Sequence, residues 1–165
     1  MRKILALIVL TIFIYSCKSK SAATSRTEEK PEKPAFVMLK PSAADAAQSK
    51  KAYELGTRVL MTCNTSRFKP FSESEATASV IQNTTQARLT RTCHKFRLKY
   101  GDFKKLDLVE VIHFTDSDSY IYRYRAHYEK PIANKELRVT MNSENKVSAI
   151  KSSDWIDNYN PLEDN

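Results

Sequence analysis

Glycine is scarce in this chain of 165 residues: only Gly56 and Gly101 occur. With 41% hydrophobic and 10% aromatic residues, that scarcity argues against a disordered or low-complexity polypeptide and leaves a chain with a core to build. Histidine and cysteine are sparse too, three of each. Cys93-His94 has no second metal-like pair nearby, which excludes a zinc site on cysteine and histidine spacing. The apolar run Ile4 to Tyr15, broken only by Thr11, is twelve residues long. A spanning helix needs about 20, whereas the core of an export signal needs about 7 to 15, and Arg2-Lys3 supply the basic start of such a signal.

Basic residues outnumber acidic ones, 27 to 19, a formal charge of +8. Removing residues 1–16 takes Arg2 and Lys3 away and leaves 25 against 19, still +6. That charge attracts anionic head groups or nucleic acid and also serves plain solubility. Nucleic acid is not an expected partner in the compartment that an export signal addresses. After the leader, residues 17–41 read as a polar tether, with no large apolar residue from Lys18 to Lys33. Phe36-Val37-Met38-Leu39 follows, as a short edge strand or a segment packed across the domain, and Pro41 ends it. Residues 42–155, roughly 120 residues, suffice for one folded domain. Residues 156–165 form an acidic tail over the surface, with Trp155 tucked in at its start.

The first half of the domain is helical. Ser42-Ala43-Ala44-Asp45 has the spacing of a capping box, and Ala52, Leu55, Gly56, Val59, Leu60 and Cys63 recur at helical intervals, which predicts a helix over about 43–64. Ser72-Glu73-Ser74-Glu75 predicts a second, shorter helix to about Gln82, and Asn83-Thr84-Thr85-Gln86 a third that stops at Gly101. The third helix carries Leu89, Cys93, Phe96 and Tyr100 on one stripe and Arg88, Arg91, Lys95 and Lys99 on another. A basic stripe of this kind is ordinarily a solvated face, and its functional alternative is binding to the phosphates of an anionic envelope polymer. Cys63 and Cys93 both fall on apolar stripes. They are either bridged, where an oxidising compartment allows it, or two buried free thiols acting as small hydrophobes, with the balance slightly towards the thiols.

The second half is sheet. Four strands are predicted at Leu106 to Phe114, Ser119 to Lys130, Lys135 to Asn142 and Lys146 to Ser153, joined by turns short enough to make them antiparallel neighbours. In the central one, Tyr120, Tyr122, Tyr124 and Tyr128 share a face, and Ile121, Arg123, Arg125, His127 and Glu129 share the other. In the first, Leu106, Leu108, Ile112 and Phe114 align on one face with Val109 and Val111 on the opposite one, so both faces should be partly covered. Helices can cover one; a partner copy of the chain, as a homodimer through the sheet, or the segment around Trp155 can cover the other.

Ile14-Tyr15-Ser16-Cys17 resembles the bacterial lipobox. The resemblance implies cleavage between Ser16 and Cys17 by a type II signal peptidase and a diacylglyceryl group on the Cys17 thiol, usually with an acyl chain on the new amine. It makes the mature protein a lipid-anchored protein of the bacterial cell envelope, whose two or three acyl chains hold firmly where one would not. Lys18 rather than Asp after the cysteine resembles the signal for the outer membrane, facing the periplasm. The domain, with helices first, Tyr100-Gly101 leading into the meander, and Glu136-Leu137-Arg138-Val139 running on to Asn145-Lys146-Val147, resembles the nuclear transport factor two-like group of cystatin-like folds. That resemblance implies an α+β cone, with two to three helices on a curved four-stranded meander around a cavity, and frequent dimers.

Enzymes of that group, such as the ketosteroid isomerases, set an Asp or His base against a Tyr donor. This chain offers His94, His113, His127, Asp107 and the tyrosines, but no motif brings a base and a donor together. The expected function is therefore a binding or accessory module, without cofactor or metal, whose sheet face or cavity takes a small ligand, a glycan or a protein, with Tyr120, Tyr122, Tyr124 and Tyr128 as its pocket wall or interface. The alternatives are a small cavity enzyme doing acid–base chemistry and an envelope assembly or stress protein whose basic helix touches anionic lipid sugars.

Overall fold

The computed structural model describes residues 35–163, which belong to one compact unit. The leader, Ser16 and Cys17 lie outside the described residues. The domain is α+β, with three helices against a five-stranded, wholly antiparallel sheet. In chain order it runs β1 (Phe36–Leu39), α1 (Ala46–Thr65), α2 (Ala78–Asn83), α3 (Gln86–Tyr100), β2 (Phe103–Phe114), β3 (Ser119–Tyr128), β4 (Lys135–Met141) and β5 (Val147–Asp154). The sheet follows the same order, β1 to β5. The expected count of four strands is thus corrected to five. The fifth is the Phe36–Leu39 cluster, which pairs along β2 from Phe36 opposite Phe114 to Leu39 opposite Val111. No helix among the described residues is long and apolar enough to cross a membrane.

Two helix starts differ from expectation, each for a local reason. Pro41–Ala43 form a 3-10 turn, so α1 opens three residues later, where the Asp45 carboxylate accepts the Gln48 amide at 2.6 Å. The Ser72 box closes a turn rather than a helix: the Glu75 carboxylate accepts the Ser72 amide, and the backbone of Glu75 to Thr77 then hydrogen-bonds to Val147 of β5. Pairing with a strand takes the groups that a helix would have used, and α2 waits until Ala78. α3 opens on Thr85, whose hydroxyl accepts the Arg88 amide, and ends at Gly101, where φ is +76°.

The sheet has two different faces. Leu106, Leu108, Val111, Tyr122, Tyr124, Ala126, Leu137, Val139 and Met141 pack under the helices with Ala52, Leu55, Val59 and Leu60 of α1. The expected alignment of Leu106 and Leu108 with Ile112 and Phe114 is corrected by a bulge at Val109. One extra residue there reverses the alternation, so that Val111 rather than Ile112 continues the helix-side row. Gly56 sets how closely α1 approaches. A Cβ at that position would lie 2.8 Å from a Leu137 methyl and 3.0 Å from one of Val139, both fully buried. Gly56→Val is expected to cost about 1–3 kcal/mol in urea unfolding, the penalty of an overpacked core.

Arg58 of α1 grips the Glu75 carboxylate with both guanidinium NH2 groups, at 2.7 and 2.9 Å. That grip holds the Glu75 carboxyl down at about 2, against an ordinary 4.5. An unfolded Glu takes its proton near 4.5 and this one only near 2. The stabilisation is therefore complete above the unfolded value and drains away as pH falls through that window. It amounts to about 2 kcal/mol after allowance for the pair's partial exposure. Acid titration of stability should show this loss in the native chain and lack it in Glu75→Gln.

Candidate functional site

The four tyrosines share the helix side of the sheet but do not gather around one cavity. Tyr122, fully buried, donates to the Gln48 side-chain oxygen at 2.8 Å, and Tyr124 donates to the Ser49 carbonyl at 3.4 Å. Tyr128 lies among Phe96, Tyr100 and Phe103, with ring centroids 5.8–6.4 Å away. Burial pushes the Tyr122 and Tyr128 phenols up to about 12, and the Tyr124 phenol up further. All three are neutral donors at any physiological pH and poor bases. The Tyr128 hydroxyl is buried with no hydrogen-bond partner among the described residues. Its ring lines a cavity of about 140 Å³ between α1, α3 and the sheet, together with Val59, Leu89, Cys93, Phe96 and Leu137. That is well below the ~300 Å³ of an ordinary small-molecule site.

The histidines occupy three separate places. His94 is on the exposed side of α3, on an open groove with Thr62, Ser66 and Arg97. His127 pairs with Asp107 at 2.8 Å on the far side of the sheet. His113 stacks flat on Tyr120, centroids 4.2 Å apart, and pairs with Asp118 at 2.9 Å at the β2–β3 turn. The Tyr120 phenol is raised, by burial first and then by the Asp118 charge. Among the described residues no group of three or more His, Cys, Asp or Glu is placed to hold a metal ion. Cys63 and Cys93 are bridged in the structure, tying α1 to α3 across a separation of 30 residues.

The larger constellation was not singled out from the sequence, and it lies on the sheet face away from the helices. Arg123 is 1% exposed and its guanidinium meets Glu110 at 2.6 Å, Glu136 at 2.6–2.7 Å and the Ile156 carbonyl. Glu136, wholly buried, also takes Arg138 at 3.0 Å and the Ser153 hydroxyl at 2.9 Å. Pairing explains the gathering, because Arg123 stands directly opposite Glu110 on β2 and Arg138 on β4. The segment after β5 roofs the cluster. The Trp155 ring lies 4.0 Å from Arg123 and 4.1 Å from Arg125, and the Tyr159 ring 4.8 Å from Arg123 and 4.6 Å from Arg138. So the chain's own C-terminal segment covers part of the face on which a second copy was the other expected occupant. Each buried charge of the cluster has an opposite partner, and both buried arginines have an aromatic cover, which is what a low-dielectric setting demands.

Comparison of the chain with protein-family models, with characterised proteins and with solved structures finds no match. What the domain does is therefore argued from its own residues.

Proposed function

We propose that this is a lipid-anchored protein of the bacterial cell envelope, held by acyl chains on Cys17 with an outer-membrane address, and that its domain acts by binding rather than by catalysis. The observation that carries this reading is the Cys63–Cys93 bridge. Structural disulfides belong to oxidising compartments, and a leader that ends on Ser16-Cys17 sends a chain to one. Binding is favoured over chemistry because the buried arginines and Glu136 pair with one another inside the domain and two of the helix-side tyrosines, Tyr122 and Tyr124, are neutral phenols tied to α1. The nuclear transport factor two-like cone belongs to this proposal as well. The hollows around the helices are open ones, about 140 Å³ between α1, α3 and the sheet, about 450 Å³ where Tyr124 and Leu108 meet α1 and about 640 Å³ beside α2, so such a cone suits a surface partner, protein or glycan, better than an enclosed small molecule.

The acid–base alternative has its nearest counterpart in His113, Asp118 and Tyr120. That trio sits at a hairpin end, with the Asp118 side chain 64% exposed, where water would screen any tuned charge.

Growing cells with labelled palmitate tests the anchor. The native chain should carry label and sediment with membranes, and Cys17→Ala should carry none. Label retained on Cys17→Ala, or absent from the native chain, overturns the reading. Crosslinking in intact cells should then capture a defined partner on the folded domain.

A further inference from the structure

We infer that the exposed face of α3 is a docking surface for an anionic lipid membrane. The described residues hold 20 Lys and Arg against 15 Asp and Glu. α3 alone contributes five of the basic residues, Arg88, Arg91, Lys95, Arg97 and Lys99, and none of the acidic ones. The rest of the domain is thus balanced at fifteen against fifteen, and its whole excess of charge sits on one fifteen-residue helix.

The middle of the stripe is not used by the fold. Leu89, Cys93, Phe96 and Tyr100 turn towards the sheet, while Arg88, Arg91, Lys95 and Lys99 are exposed on the opposite side. Arg97 is held by Asp102 at 2.7 Å, Arg88 bonds to Asn83, and Lys99 lies over the Tyr100 ring. The Arg91 and Lys95 side chains make no hydrogen bond, ion pair or ring contact with any other described residue. Arg91, Lys95 and Lys99 follow one another a helical turn apart, a spacing at which like charges destabilise a helix. The fold gains no visible contact from Arg91 and Lys95 in that arrangement; a plane of phosphates would.

Two further features favour a membrane over other polyanions. Leu98 and Ile132, 66% and 70% exposed, are the most exposed of the domain's large hydrophobic residues, and they lie at the same end of α3. The turn that carries Ile132 is fastened there: the Lys130 amide donates to the Tyr100 carbonyl at 2.9 Å and its ammonium to the Leu98 carbonyl at 2.8 Å. Apolar side chains among Lys95, Lys99 and Lys130 are what an interfacial surface presents, the basic groups to the headgroups and the aliphatic ones to the acyl boundary. A nucleic-acid surface would instead expose rings for bases to stack on, and the rings of α3, Phe96 and Tyr100, face the core.

This inference rests on the envelope reading only for where the membrane is met. The test therefore uses a chain beginning at Lys18, which contains the whole compact unit but has no Cys17 to acylate. Co-sedimentation with phosphatidylcholine vesicles is compared with co-sedimentation with vesicles that also contain phosphatidylglycerol. Binding is expected to the anionic vesicles only, to weaken as salt is raised, and to fall about 100-fold in Arg91→Ala/Lys95→Ala/Lys99→Ala, at roughly fivefold per cation. Leu98→Ser/Ile132→Ser should weaken it without changing its salt dependence. All five side chains are exposed, so circular dichroism should report the native fold in both variants. Equal binding to both vesicle types, binding that survives the triple change, or no vesicle binding alongside capture of RNA would overturn the proposal. Palmitate labelling of the full chain carrying the triple change should be normal, which separates failure of the stripe from failure of the anchor.

Discussion

Glu136→Leu is expected to lose about 3–5 kcal/mol of folding stability, the largest single-residue effect in the domain. Glu136 is wholly buried and its carboxylate is shared by Arg123 and Arg138, which stand directly opposite each other on neighbouring strands. Without it, two buried guanidinium groups face one another beneath the rings of Trp155 and Tyr159, and each keeps its desolvation cost while losing a buried carboxylate. Glu110 remains for Arg123, at 2.6 Å and partly open to water, and the Ser153 hydroxyl for Arg138 at 3.0 Å. The paired control is the triple change Arg123→Met/Glu136→Leu/Arg138→Met. Apolar replacement of these three removes the buried charges along with their pairing, leaves only the partly exposed Glu110 without its arginine, and should recover most of the loss. Urea unfolding read by Trp155 fluorescence reports both stability and the roof that the ring forms. A loss below about 1 kcal/mol in Glu136→Leu would mean that water reaches the cluster and that the roof does not seal it.

Cys63→Ala/Cys93→Ala should cost about 3–4 kcal/mol, the loop-closure entropy that a bridge over thirty residues removes from the unfolded chain. The effect is mostly on the denatured ensemble, so the slope of stability against urea should change along with the midpoint. α1 holds the tyrosine side of the sheet and α3 meets α1 through this bridge. Loosening of α3 should therefore precede global unfolding in the double variant, visible as faster amide exchange at 86–100 than at β3 and β4. A reductant should produce the same shift in the native protein and none in the variant.

The strands that carry this architecture are legible in residue alternation. Val, Ile, Tyr and Phe at every second position, bounded by short polar turns, place β2 to β5 within a few residues of where they lie. The tyrosines of β3 fall on one side as their spacing requires, Gly101 ends α3 as its cap chemistry predicts, and the start of α3 falls at Thr85, within the predicted Asn83–Gln86 stretch. What escaped depends on distant parts of the chain. Phe36 to Leu39, whose sequence suits either an edge strand or a packed segment, are settled as a strand by the edge that β2 offers. The Ser72 box forms its hydrogen bond and still makes no helix, because β5 claims the neighbouring backbone. The bulge at Val109 moves Ile112 to the other face with no local signal such as a glycine.

The arginine and carboxylate cluster was half written in the alternation, Arg123-Tyr124-Arg125 against Glu136-Leu137-Arg138. Charges at every second position on two adjacent strands must share a face. Only the register, however, sets Arg123 between Glu110 and Arg138, and only the packed segment after β5 shows that the face is dry.

Intact mass spectrometry of the protein extracted from cell membranes tests the account most directly, because one measurement reads both the anchor and the compartment. The predicted mass is that of a chain beginning at Cys17, carrying a diacylglyceryl group with or without an amine-linked acyl chain, and two hydrogens short at Cys63 and Cys93. A mass beginning at Met1 with no lipid and with both thiols free would contradict it.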